Sequence, residues 1–157
     1  MADDIDPYSF RPAHPDDARQ VANLVDAAYR HYVERIGMVP RPMTDDYDRV
    51  IRDAAVHLAG RDGKIVGILV LDVTEEGFVI DNVAVHPSER GKGLGRALLV
   101  TAEGEATRAG FSSIYLYTHE KMTENLALYS KIGYVEYDRR SRGDFSLVYM
   151  RKRLELG

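Results

Sequence analysis

The residues with the clearest chemical bearing form one run, His86-Pro87-Ser88-Glu89-Arg90-Gly91-Lys92-Gly93-Leu94-Gly95-Arg96, set between an apolar stretch and an amphipathic one. Gly91, Gly93 and Gly95 permit left-handed backbone and let a ligand approach bare peptide groups. The start of a following helix adds unpaired N–H groups and the positive end of a dipole. Arg90, Lys92 and Arg96 bring countercharge. This combination suits a diphosphate. Dinucleotide and nucleoside-triphosphate sites use the same device, but no Gly-Lys-Ser/Thr closes this loop and it does not follow the first strand of a βαβ unit.

Other chemistries find little support. Cysteine is absent, which excludes disulfides, thiolate metal ligands and a cysteine nucleophile. His14, His31, His57, His86 and His119 are scattered without ligand spacing, so no metal is expected. A Ser/His/Asp nucleophile lacks its Gly-x-Ser-x-Gly elbow.

The elements around the loop follow from periodicity. Residues 9 to 12 read as a strand, and Pro15, Asp16 and Asp17 open a helix whose apolar positions Val21, Leu24, Val25 and Ala28 recur at helical spacing. Gly37, Pro40 and Pro42 break it, and a second helix is expected from Thr44. From Val56 the period shortens, with Asp62-Gly63 and the stretch from Thr74 to Gly77 as turns, giving three consecutive strands that end at Val85. After the loop come a helix from Leu94 to Ala109, a strand from Ile114 to Thr118, a helix from Thr123 to Ile132 and a closing hairpin from Tyr134 to Met150.

The chain has 157 residues, 45% hydrophobic and 29% charged, as expected of one globular domain. Residues 1–7 read as an acidic tail and 8–157 as a single domain. A net charge of −4 offers no broad attraction to nucleic acid or anionic lipid. The acidic N-terminus and the lack of a long apolar run point to a cytoplasmic location.

Arg90, Gly93 and Gly95 match the Arg/Gln-x-x-Gly-x-Gly/Ala loop of the GNAT superfamily of N-acetyltransferases, which the chain resembles. The resemblance extends to Asp81-Asn82-Val83-Ala84-Val85, to Asn125-Leu126-Ala127-Leu128-Tyr129-Ser130-Lys131-Ile132-Gly133-Tyr134 and to the opening Phe10-Arg11-Pro12-Ala13 with Asp16-Asp17-Ala18. It implies an α/β (α+β) fold, a mixed and mostly antiparallel central sheet of six to seven strands flanked by about four helices. It also implies transfer of an acetyl group from acetyl-CoA to a primary amine of a small molecule, amino acid or peptide. The alternative is a catalytically silent module that holds an acyl-CoA as a sensor.

The resemblance further implies roles. Backbone groups of Val83, Ala84 and Val85 would pair with the pantetheine arm, amides of Arg90, Gly91, Lys92, Gly93, Leu94, Gly95 and Arg96 would hold the pyrophosphate, and Asn125 would touch the cofactor. Tyr129 would protonate the departing thiolate, with a packed core tyrosine as the alternative. The base is open: Asp81 comes first, set against an equal structural reading as a turn cap, followed by His119, Glu120 or an ordered water. Tyr29 and Tyr32, with His119, would face the acceptor. Family members are frequently dimers, so a homodimer joined at the final hairpin is a further expectation.

Overall fold

The structure is a computed structural model describing residues 8–155; the acidic tail read at residues 1–7 lies outside them. In chain order the strands are β1 (Ser9–Pro12), β2 (Ala55–Arg61), β3 (Lys64–Thr74), β4 (Gly77–Val85), β5 (Ser113–His119), β6 (Val135–Arg142) and β7 (Phe145–Arg153). The helices are α1 (Ala18–Tyr29), α2 (Tyr32–Ile36), α3 (Tyr47–Asp53), α4 (Leu94–Arg108) and α5 (Thr123–Lys131). The strands form a 7-stranded sheet in the order β1-β2-β3-β4-β5-β7-β6. The β4–β5 pair is parallel, while β1–β2, β2–β3, β5–β7 and β6–β7 are antiparallel. The mixed, mostly antiparallel sheet is the one the GNAT resemblance implies, with five helices in place of about four.

The additional helix comes from the first helical stretch, which divides at Arg30-His31 into α1 and α2. The next helix starts at Tyr47 and not at Thr44, because residues 41–44 form a 3-10 turn after Pro40 and the Asp46 side chain accepts the Asp48 N–H (3.1 Å), capping α3 three residues later.

The chain divides into two compact units, one running to Leu71 and including Asn82–Ala102, the other Asp72–Asp81 and the chain from Glu103 onward. In the first unit, Asp62 and Gly63 both take positive φ (53° and 78°), the turn that matches the twist of the β2–β3 hairpin. Gly67 on β3 lies against α4: a Cβ there would lie 3.2 Å from Leu94, Leu98 and Ala59. Arg11 on β1 grips the buried Asp17 at the head of α1 through two hydrogen bonds (2.8 and 2.9 Å), and the guanidinium draws the Asp17 carboxyl down to about 2.

In the second unit β5 is the spine. Ile114 and Leu116 face the end of α4, α5 and Tyr134, where Lys152 bridges to Glu103 (3.0 Å) beside the Tyr134 ring. Tyr115 and Tyr117 point to the opposite face, packed with Val79, Tyr149 and Leu147. The exposed edge strand β6 is tied back by Arg140, which lies 3.8 Å over the Tyr149 ring and gives two 2.8 Å hydrogen bonds to Glu76.

Candidate functional site

The glycine loop leaves β4 at Val85 and is moored before it reaches its glycines. His86 Nδ1 accepts the Ser88 N–H (3.1 Å), shaping a 3-10 turn over Pro87–Glu89. The buried Glu89 carboxylate receives Tyr8 Oη at 2.5 Å, Arg61 at 3.1 Å and Ser88 Oγ at 3.2 Å. The Tyr8 hydrogen bond holds the Glu89 carboxyl below its usual range, and burial pushes the Tyr8 phenol up. Tyr8, Arg61 and Glu89 escaped the sequence reading. The only available signal was a carboxylate inside an otherwise basic loop, which says nothing of partners eighty-one and twenty-eight residues away.

Arg90 serves the fold as much as any ligand. Its N–H donates to Pro87 O (3.3 Å), and its guanidinium donates to Ala28 O (3.0 Å) at the end of α1, 3.2 Å from His31 Nδ1. The run of amides open to a ligand therefore starts at Gly91. Among the described residues, none of the N–H groups from Gly91 to Arg96 donates a well-formed hydrogen bond to the protein, and the first helical bond is Ala97 N–H to Gly93 O (3.0 Å). Gly91 and Gly93 hold φ of 77° and 85° with nothing within 4 Å of a hypothetical Cβ, whereas Gly95 sits in the first turn of α4, its hypothetical Cβ 3.9 Å from Val85. The exposed Arg96 forms no ion pair among the described residues, while Lys92 lies 3.6 Å from Glu89. Open amides, a helix start and net positive charge are together features that suit an anion.

Also in the first unit, Tyr29 and Tyr32 are both buried. Tyr29 Oη donates to Asn82 Oδ1 (2.7 Å) and lies 3.4 Å from Val83 O; Asn82 Nδ2 donates to Tyr47 Oη (3.4 Å), which donates to Pro42 O (2.6 Å). Asn82 is thus the hub that fixes the α1–α3 segment on β4, a part it takes because a buried amide must find partners. Tyr32 packs against His31 (3.9 Å between centroids) under Arg35 (5.2 Å). On β4, Val83 and Val85 are half-buried and alternate with the buried Asn82 and Ala84.

In the second unit the β4–β5 ladder consists of Phe78↔Ile114, Val79↔Tyr115 and Ile80↔Leu116, and β4 runs on beyond it to Val85. The next residues, Asp81 and Tyr117, are joined by their side chains, Tyr117 Oη donating to Asp81 (2.8 Å). His119, expected in a loop past the strand, closes β5 and is buried, its ring stacked 4.8 Å from Phe145. Its Nδ1 accepts the Lys121 N–H (3.0 Å), and desolvation holds its pKa below the usual imidazole value. Glu120 accepts the Ser146 N–H (2.8 Å), with Arg139 3.8 Å away.

Asn125 and Tyr129 lie one helical turn apart on α5. The Asn125 side-chain amide donates to the Met122 thioether at 3.8 Å, its one side-chain hydrogen bond among the described residues. Tyr129 is buried, its ring 6.1 Å from Tyr134. Because Tyr134 packs beside Lys152 on the Ile114 face, Tyr129 and Asp81 belong to opposite faces of the sheet. The two faces meet only where strands cease to pair, and the β4–β5 ladder ends at the residue before Asp81.

The acetyltransferase (GNAT) family matches residues 19–134. The chain belongs to the GNAT acetyltransferase family. An IAA acetyltransferase of Azospirillum brasilense is 35% identical over 81 residues, covering 50% of this chain and 53% of that protein. The chain thus spans about half the length of that relative, and 17% of a mycothiol acetyltransferase of Streptosporangium roseum. Among solved structures, the PaiA N-acetyltransferase of Thermoplasma acidophilum in complex with coenzyme A has a TM-score of 0.78 at 17% identity, covering 93% of this chain and 98% of that one. An IAA acetyltransferase of Bacillus cereus has a TM-score of 0.71 at 19% identity, covering 94% and 99%. At these identities the structures establish a shared GNAT fold.

Within this GNAT chain no described helix is long and apolar enough to cross a membrane, and no group of three His, Asp or Glu among the described residues is placed to hold a metal ion.

Proposed function

We propose that this chain moves the acetyl group of acetyl-CoA directly to a primary amine of a small molecule, amino acid or peptide. The observation that carries the reading is the run of open amides from Gly91 to Arg96 at the start of α4, held in shape by left-handed Gly91 and Gly93. These amides would take the pyrophosphate, β4 from Val83 to Val85 the pantetheine amides and Asn125 a further polar group of the cofactor. Acetyl-CoA supplies a thioester carbonyl activated toward nitrogen.

Only an unprotonated amine attacks, and an alkyl amine with a pKa near about 10.4 is unprotonated to roughly one part in 10³ at neutral pH. Asp81 would accept the proton that the nitrogen sheds as the N–C bond forms, with Tyr117 orienting its carboxylate. Tyr129 would donate a proton to the sulfur as the C–S bond breaks, recovering it from solvent afterwards. A strand N–H near Val83 or Val85 would steady the charge on the carbonyl oxygen.

Free thiol release from acetyl-CoA, measured across a panel of amines, amino acids and peptides, tests the proposal. Release well above hydrolysis with at least one acceptor is expected. Tyr129→Phe should reduce kcat roughly 10²-fold, the usual scale of general acid catalysis, with CoA affinity unchanged. Equal loss of both would remove Tyr129 from the acid role. CoA binding without release to any acceptor would point instead to a CoA-holding module.

A further inference from the structure

One buried polar atom is not explained by the roles above. Nε2 of His119, a residue 6% exposed at the end of β5, has no hydrogen-bond partner and is the buried side-chain nitrogen or oxygen so left among the described residues. Because Nδ1 accepts the Lys121 N–H, the neutral ring carries its proton on Nε2. Nε2 is then a donor and nothing else. Burial disfavours a second proton, and protonating Nδ1 would break the Lys121 contact, so the ring stays neutral. His119 is accordingly a poor base and a ready donor to an oxygen, and a donor left unsatisfied in a folded core asks for a partner.

The side chains around it bear on the kind of oxygen that would suit it. His119 opposes Leu147 on β7; Phe145, two residues along, stacks on the imidazole; and Arg142 on β6 opposes Phe145. Directly opposed residues share a sheet face, so Arg142 joins Phe145 and His119 on one surface. Arg139 pairs with Glu136 and Glu120, and Arg140 with Glu76 and Asp138, whereas Arg142 reaches only Ser141 O (3.4 Å) and forms no ion pair among the described residues. Glu120, the nearest carboxylate in sequence, is held by the Ser146 N–H and Arg139. Asp81 shares the same face through its hydrogen bond with Tyr117, and His119 lies two residues beyond Tyr117, about 7 Å along the strand.

We infer that this face binds a carboxylate of the acceptor, with His119 Nε2–H donating to one oxygen and Arg142 supplying countercharge, so that the acceptor is an amino acid whose amine lies a few bonds from its carboxylate. The inference rests on the transfer reading above, with the amine directed toward Asp81. It names a substrate class and gives His119 a binding role in place of the proton-accepting one.

The test uses the common L-amino acids, each as free acid and as primary amide, with acetyl-CoA and wild-type, His119→Asn and Arg142→Gln protein. The Asn oxygen can still receive the Lys121 N–H, while the donor at the Nε2 position is withdrawn. For at least one amino acid the free acid should exceed its amide in kcat/KM by about tenfold or more, the scale of one charge-assisted hydrogen bond. Each variant should erase that preference by raising KM for the acid, with kcat and CoA affinity within about twofold of wild type. The ring of His119 is followed in parallel by 15N NMR with CoA bound. Free acids should move the Nε2–H resonance and amides should not. Equal use of acids and amides, a preference that survives both variants, or a resonance indifferent to every acid would overturn the inference. If no acceptor is acetylated yet acids alone shift the Nε2–H signal, the carboxylate site stands and the transfer reading falls.

Discussion

Two of the loop glycines, Gly93 and Gly95, differ in their backbone demands, and substituting each separates folding from ligand binding. Gly93 has a φ of 85°, a conformation that costs an L-residue about 1–2 kcal/mol, so Gly93→Ala should lower Tm by roughly 2–8 °C for a chain of this size. No atom lies within 4 Å of the added Cβ, so backbone strain is the whole of that cost. Relaxing the strain turns the neighbouring amides, and each amide-to-phosphate bond lost forfeits about 1.5–3 kcal/mol, on the order of 10- to 100-fold in CoA affinity. Gly95 sits in helical backbone with ordinary contact distance to Val85. Gly95→Ala should therefore gain about 0.5 kcal/mol of helix propensity and keep CoA affinity within about twofold. Thermal unfolding and titration calorimetry with CoA read both quantities. If Gly93→Ala bound CoA as wild type does, or Gly95→Ala lost as much as Gly93→Ala, the assignment of the cradle to the amides of residues 91–96 would be refuted.

Two further outcomes follow from the anchoring contacts. Tyr8→Phe removes the hydroxyl that reaches Glu89 at the root of the loop, and should lower Tm by a few degrees and weaken CoA binding several-fold in parallel, as thermal shift and calorimetry would show. For Asp17, the folded pKa of about 2 lies below the unfolded value of 3.8, so its stabilisation is complete above the unfolded pKa and disappears as pH falls through that window. Because Arg11 is 44% exposed, solvent screening leaves about 1–2 kcal/mol. Asp17→Asn should cost that much at pH 7 and flatten the acid limb of a denaturant-midpoint profile between pH 4 and 2; an unchanged limb would discard the pair as a source of acid sensitivity.

Local sequence was most informative where local physics decides. Asp62-Gly63 could only be a tight hairpin turn, and the spacing of Leu94, Leu98, Ala102, Ala106 and Ala109 reads as a helix face; the first four are buried, while Ala109 lies just past the end of α4 and is exposed. It was least informative where two local signals compete. Arg30-His31 carries no breaker, yet the helix divides there; Thr44 looked like a helix start, yet Asp46 with its Asp48 contact took the cap. His119 follows strand residues and precedes Glu120-Lys121, so it reads as loop surface, and its burial depends on Phe145, which arrives from another strand.

What the chain's order of residues determined was the glycine-rich turn into α4 with its excess of cations, because glycine freedom, helix polarity and charge all act within a few bonds of one another. What only tertiary structure decided was which polar groups remain available once the fold has closed. The Arg90 guanidinium is claimed by Ala28 O, Tyr29 by Asn82 and Glu89 by Tyr8, whereas Nε2 of His119 is left over. A hydrogen bond between residues 53 to 81 positions apart depends on where two backbones cross, and that crossing is set by the packing of the core around them.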